Sequence, residues 1–205
     1  MLPDEIINPL DLMRRDRALA RERHDSLAEV GCLATADASG QPHARFITLR
    51  EIDGSSVTFW ASGTSPKLLQ LKANGNYELT TYWPTLARQY RLQGSYEWIA
   101  AAVAQAEHAA RPGRAKLWDW LHEELPQSTP VADRSSLVAK FENLSAGLTR
   151  SFGDLDAVAP APSAGFIRLE PRRVEVQELD LDRRLHDRRV LIRDGDRWTQ
   201  SLLVP

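Results

Sequence analysis

Two groups of basic residues have a spacing that points to anion chemistry. The first is Arg183-Arg184-Leu185-His186-Asp187-Arg188-Arg189. Run as a strand, it puts Arg184, His186 and Arg188 on one face and Leu185, Asp187 and Arg189 on the other. The two outer same-face arginines are then about 13 Å apart at the backbone and repel by about 1 kcal/mol at an effective dielectric near 20. An anionic ligand explains such a row, and so would carboxylates from elsewhere in the fold, with Asp180 and Asp182 as the local candidates. The second group is Ser65-Pro66-Lys67, opening a short helix from Lys67 to Asn74 that Gly75 closes. Ser65 suits the N-cap, Pro66 the first turn and Gly75 the C-terminal turn. Lysine at that end opposes the helix dipole unless an anion lies in front of it. The alternatives there are a phosphate seat and a surface lysine pointing to water.

A weaker row is Arg45-Phe46-Ile47-Thr48-Leu49-Arg50, whose two arginines are five apart and face opposite sides of a regular strand. One can reach a ligand while the other reaches solvent or a second subunit. Gln89, next to Arg88, offers a neutral amide to a polar heterocycle. Other chemistries are struck out. No two glycines have the spacing of a dinucleotide fingerprint or a P-loop. His122-Glu123-Glu124-Leu125 begins like a zinc-protease helix, but Pro126 stands where the second histidine belongs, and His24, His43, His108 and His186 are isolated in sequence. No serine sits in a nucleophile-elbow setting, and the carboxylates form no glycosidase-like pattern. Trp118 and Trp120 read as core residues, not as a stacking platform.

The elements that must position these residues follow from the pattern. Asn8 caps a first helix with Pro9 at its start and Leu12, Met13, Leu19 and Ala20 as its apolar stripe; its arginines, interleaved with Asp16 and Glu22, read as a solvated face. Strands are expected at Val30 to Ala36, Ala44 to Arg50, Val57 to Ala61, Tyr77 to Trp83 and Arg88 to Glu97, joined by turns such as Asp37-Ala38-Ser39-Gly40 and Asp53-Gly54. Residues 99 to 148 have helical period, and residues 153 to 163, with Pro160 and Pro162, read as a linker. Four further strands then end the chain. Strands, a helical insertion and strands again make an α+β order, with the meander closing into a barrel over a single domain of 205 residues. The longest apolar run, Trp98 to Ala104, is seven residues, so no membrane span is expected. A single cysteine, Cys32, fits a reducing cytoplasm, and a formal charge of −2 argues against a dedicated nucleic-acid binder.

Together these residues resemble the pyridoxamine 5′-phosphate oxidase family of FMN-dependent enzymes, along nearly the whole chain. The most specific pieces are Arg184-Leu185-His186-Asp187-Arg188 and Tyr82-Trp83-Pro84-Thr85-Leu86-Ala87-Arg88-Gln89. The resemblance implies a split β-barrel homodimer with FMN at the subunit interface. It implies that Arg45, Phe46, Ile47, Thr48, Leu49 and Arg50 lie along the flavin, and that Trp60, Ala61, Ser65 and Lys67 contact the ribityl chain and phosphate. It further assigns FMN contacts to Gln89, Gln127, Ser128 and Arg188. Arg50, Glu107, Arg111, Ala115, Arg184 and His186 stand at positions that surround pyridoxal phosphate in the family, with Arg184 and His186 acting on the substrate.

The departures are concentrated at the substrate phosphate. The family's lysine is Arg50 here, its tyrosine is Glu107 and its serine is Ala115, so two hydroxyl donors are lost and a carboxylate is gained. Pro66 replaces a basic contact to the FMN phosphate, and Gln177 stands near the position of a tryptophan. The resemblance implies an oxidase of an amine or alcohol carbon with oxygen as acceptor, pyridoxine or pyridoxamine 5′-phosphate being the first candidate substrate. The alternatives are an oxidase of another reduced ring, as in phenazine biosynthesis, and a flavin-binding protein without turnover.

Overall fold

Alternating burial is what converts the central sequence into sheet. Along Tyr77–Trp83, residues Tyr77, Leu79, Thr81 and Trp83 are buried while those between them are half-buried, the period of two that a strand imposes. The computed structural model of the chain describes residues 2, 3, 5–180 and 182–205. In order, the elements are α1 (Pro9–Glu22), β1 (Val30–Ala36), β2 (Pro42–Thr48), β3 (Val57–Ser62), α2 (Pro66–Asn74), β4 (Tyr77–Trp83), β5 (Arg88–Ala100), α3 (Gln105–Ala109), α4 (Gly113–Glu124), α5 (Arg134–Phe152), β6 (Ala164–Glu178), β7 (Asp187–Asp194) and β8 (Arg197–Leu203). This is the expected α+β order.

The sheet is antiparallel and runs β2-β1-β4-β5-β6-β7-β8, with β3 paired to β6. The chain after β2 closes it. Arg50 N–H donates to Thr58 O at 2.8 Å, Thr58 N–H donates to Glu51 O at 2.9 Å, and Ile52 bridges Val57. Strand β3 therefore links the end of β2 to β6 and makes the barrel, while β7 and β8 continue beyond it. No helix among the described residues is long and apolar enough to cross a membrane.

The chain divides into two compact units: Met1–Phe59, Gln70–Glu97 and Arg168–Pro205 form the first, and Trp60–Leu69 with Trp98–Ile167 form the second. The boundaries fall inside β3, α2, β5 and β6. In the first unit Leu33, Leu79, Leu92, Val174, Val176 and Leu191 have no exposed surface. In the second, Leu117, Leu148 and Val158 form one apolar cluster and Ala101, Ala161 and Ala164 another, with Trp120 packed against both.

Several expectations are corrected. Three strands, not four, end the chain, because β6 runs unbroken from Ala164 to Glu178. The first-helix charges are not all solvated: Met13, Asp16, Arg17 and Ala20 share one face of α1 at i, i+3, i+4 and i+7, and all four are buried. Asp16 accepts from Arg88 Nη1 at 2.7 Å and from the Tyr90 hydroxyl, while Arg17 donates to the carbonyls of Arg50 (2.9 Å) and Leu49 (2.8 Å) and pairs with Glu29. Leu19, by contrast, is 36% exposed. Residues 153 to 163 are not a free linker, because Leu155, Val158 and Ala161, spaced by threes, pack into the second unit's clusters. Helical structure begins only after β5 ends at Ala100. Trp118 is 46% exposed, lying against Phe141 with ring centroids 4.8 Å apart, because it sits on the outer face of α4.

Candidate functional site

Arg45 is drawn back over the sheet by neutral acceptors. Its guanidinium donates to Leu33 O (3.3 Å), Thr35 Oγ1 (2.5 Å) and Gln70 Oε1 (2.9 Å). Burial lowers its pKa, and among the described residues it has no carboxylate partner. A cation held only by neutral groups retains its attraction for an anion. Arg50 lies past the end of β2 and is exposed, so the opposite-face argument for a regular strand does not apply to it. Phe46 and Thr48 are exposed, Ile47 is half-buried and Leu49 is buried. Gln89, opposite Tyr82 in the β4–β5 ladder, is half-buried.

The Arg184, His186, Arg188 row is not a strand face. Strand β7 begins at Asp187, and Arg184 sits in an exposed turn with φ of +60°. Asp180 caused this: its carboxylate accepts the amides of Asp182 and Arg183, and its carbonyl accepts the Arg184 amide, which winds the chain into a turn before pairing starts. The Asp180 amide donates to His186 Nδ1 at 3.1 Å, so the neutral ring carries its proton on Nε2. The counter-charge for Arg188 is also not Asp180 or Asp182. Arg188 Nε and Nη2 both donate to Glu175 Oε2, at 3.1 and 2.7 Å. Glu175 is 4% exposed and takes Arg173 and Arg91 as well.

The second unit gathers another set. Ser65 stands before α2 as expected, but its hydroxyl does not cap the helix: Oγ is fully buried with no hydrogen-bond partner. Its carbonyl instead accepts the amides of Leu68 and Leu69, each at 3.1 Å. Lys67 Nζ donates to Gln127 Oε1 at 2.7 Å, which joins two residues sixty apart in sequence. Ser128, next to Gln127, has φ of +74°. Both Ser128 and Arg184 thus hold the left-handed conformation that costs a non-glycine residue about 1–2 kcal/mol. Ala61 is buried. Trp60 carries the Arg111 guanidinium 4.0 Å over its ring and meets His108 edge-on at 6.2 Å. Burial lowers the His108 pKa, and its Nε2 faces Val158 O at 3.1 Å. Arg111 forms a two-pronged pair with Asp119 and donates to Ala115 O at 3.3 Å. Glu107, on α3, is exposed.

The profile of the family described as pyridoxamine 5′-phosphate oxidase matches residues 22–146. The chain belongs to the pyridoxamine 5′-phosphate oxidase family. A pyridoxine/pyridoxamine 5′-phosphate oxidase of Pseudomonas paraeruginosa (strain DSM 24068 / PA7) is 34% identical over 97% of this chain and 89% of its own length. One from Anaeromyxobacter dehalogenans (strain 2CP-C) is 32% identical over 99% of this chain and 96% of its own. Among solved structures, PhzG from Burkholderia lata 383, in complex with tetrahydrophenazine-1-carboxylic acid, matches with a TM-score of 0.85 at 26% identity, over 100% of this chain and 98% of that one. A family-related FMN-binding protein from Nostoc punctiforme PCC 73102 shares the fold, with a TM-score of 0.73 at 22% identity over 94% and 96% of the two chains.

Sequence reasoning missed the residues that hold the family positions in place: Gln70 on Arg45, Glu175 on Arg188 and Asp119 on Arg111. Asp119 follows Arg111 by eight residues across a helix start, and Glu175 pairs across two sheet positions. Gln70 reaches Arg45 from α2, twenty-five residues further along the chain, so no local spacing signals it.

Proposed function

We propose that the chain is an FMN-dependent oxidase that removes a hydride equivalent from an amine, alcohol or ring carbon. The observation that carries this reading is the group at the start of α2. A fully buried Ser65 hydroxyl without a partner lies two residues from Lys67, whose ammonium is tied to Gln127. A buried, unmatched donor at a helix start that also carries a lysine fits a phosphate, since the hydroxyl would otherwise carry an uncompensated desolvation cost. These donors fit the FMN phosphate. In the other unit Arg45, with neutral partners only, keeps its attraction for an anion, and the family resemblance assigns it, Gln89 and Arg188 to FMN contacts.

Bound FMN would supply the two-electron acceptor, with dioxygen as the final oxidant and hydrogen peroxide as its product. The chain's own part is binding and orientation. Ser65, Lys67 and Gln127 hold the phosphate end, and Arg184 holds a polar or anionic substrate group. His186, with Nδ1 occupied by the Asp180 amide, presents Nε2–H as a donor to the substrate. The proposed setting is cytoplasmic, and the proposed assembly is a homodimer.

Two substrate classes compete. The names of the curated relatives favour pyridoxine and pyridoxamine 5′-phosphates. The full-length likeness to PhzG, whose structure holds tetrahydrophenazine-1-carboxylic acid, favours a reduced ring without phosphate. Titration of the purified protein with FMN, read by quenching of flavin fluorescence, tests the cofactor. Peroxide release with each substrate class tests turnover. Protein that stays colourless after FMN addition would end the proposal, and FMN uptake without peroxide from either class would leave a binding protein without turnover.

A further inference from the structure

Arg111 occupies the position at which the family reading expects a grip on the substrate phosphate, and in this chain that grip is already closed. A guanidinium has five N–H donors in a planar fork, and it holds a phosphate through two parallel bonds from that fork. Here Nη1 donates to Asp119 Oδ2, and Nη2 donates to Asp119 Oδ1 at 3.2 Å and to Ala115 O at 3.3 Å. One face of the guanidinium lies over Trp60 at 4.0 Å. Nε is buried and has no partner. Both members of the pair are buried, with 8% of Arg111 and 7% of Asp119 exposed.

We infer that Asp119 is a specificity-determining residue whose carboxylate stands in for a substrate phosphate, so that the substrate is a neutral or singly charged reduced ring. The inference rests on the proposed function, of which it names the substrate class. A phosphate dianion entering beside Arg111 would have to displace the buried carboxylate of Asp119, which α4 (Gly113–Glu124) carries and which both ends of the guanidinium fork already hold. If it did not displace Asp119, it would meet a like charge across the same guanidinium. Nearby residues do not offset this. Lys116 is 1% exposed, with Nζ directed to the carbonyls of Asp156 (2.5 Å) and Ala109 (3.5 Å), and Ala115 has no hydroxyl. A neutral or monoanionic ring needs no second cation and leaves the pair intact.

Equilibrium dialysis of the FMN-loaded protein against pyridoxal 5′-phosphate and, separately, pyridoxal tests this on wild type, Asp119→Ala and Asp119→Asn. The expected result is a wild-type preference for the phosphate below about fivefold. Each substitution, by leaving Arg111 without its counter-charge, is expected to raise affinity for pyridoxal 5′-phosphate by about fivefold or more and to leave pyridoxal unchanged. A structural role alone would not move one compound and spare the other. A larger wild-type preference, or folded variants without that selective gain, overturns the inference. If both substitutions unfold the protein, the wild-type ratio decides alone. Flavin absorbance and peroxide release on the same samples report the oxidase reading separately, since a protein that takes up no FMN fails there whatever the dialysis ratio.

Discussion

The arginines at the family's positions differ in what already surrounds them, and that difference sorts their roles. Arg45 has only neutral acceptors, Arg188 shares a buried Glu175 with two other guanidiniums, and Arg111 is matched by its own carboxylate. Residue types and spacing made the basic groups legible in the sequence, but the partners that decide their use lie on other elements and were not. For Lys67, at the start of α2, the expected outcome of Lys67→Met is FMN binding weakened by about tenfold or more, because a charge-assisted hydrogen bond contributes about 1.5–3 kcal/mol. Fluorescence titration with FMN checks it, and unchanged affinity would remove the phosphate seat. Glu29 gives a pH-dependent prediction. Hydrogen bonds from Arg21, then from Arg17, hold its carboxyl down to about 2 from an ordinary 4.5. The folded-state value lies below the unfolded one, so the pairing stabilises fully above about pH 4.5 and is lost as the pH falls through about 2. Its side chain is 43% exposed, so solvent screens the effect. Urea unfolding of wild type and Glu29→Gln should differ at pH 7 and converge towards pH 2; a constant difference across that range would exclude this linkage.

Elements were most legible where one periodicity ran uninterrupted. The β1, β4 and early β5 strands follow alternation, and α1 begins where Asn8 and Pro9 predict, with Asn8 Oδ1 accepting the Leu10 amide at 2.9 Å. The reading failed where tertiary packing overrode local character. Charged Asp16 and Arg17 occupy the buried stripe of α1, and Asp180 winds residues before β7 into a turn although their composition alternates like a strand. Close approach between strands was equally invisible. A Cβ added at Gly94 of β5 would lie 2.1 Å from Glu170 O and 2.8 Å from Arg172 N, both backbone atoms of β6. Nothing there can rotate aside, so the strands themselves must separate. Gly94→Ala is expected to cost stability at the upper end of about 1–3 kcal/mol, the range for overpacking. Chemical denaturation measures it, and a change below about 0.5 kcal/mol, the size typical of an uneventful surface substitution, would show that β5 and β6 are not held as close as this.

At the scale of the whole molecule, the barrel closes through residues 50–52 after β2. Strand β2 itself (Pro42–Thr48) and β8 are the terminal strands of the sheet order, and both expose apolar side chains. Phe46 on β2 is 78% exposed, Leu202 on β8 is 74% exposed and Val204 just beyond it is 89% exposed. Edge strands left open with large apolar groups invite pairing with another chain, and natural proteins cover or charge them when no partner exists. Neither device protects Phe46: its strand neighbours Ala44 and Thr48 on the same face carry no charge. A two-fold partner would cover the same patch on both copies at once, the commonest form of assembly in soluble proteins. The segment bearing Phe46 also carries Arg45 and Arg50, so a subunit interface there would lie next to the proposed FMN contacts. Sedimentation equilibrium is therefore expected to give twice the 23.0 kDa chain mass. Phe46→Glu should shift the protein to monomer, because it puts a charge at the centre of a desolvated contact. If FMN binds between subunits, the same substitution should weaken FMN binding in parallel with dissociation, and raising protein concentration should restore both. A wild-type monomer that binds FMN fully would refute the dimer, and a monomeric Phe46→Glu protein with undiminished FMN affinity would place the cofactor within one chain.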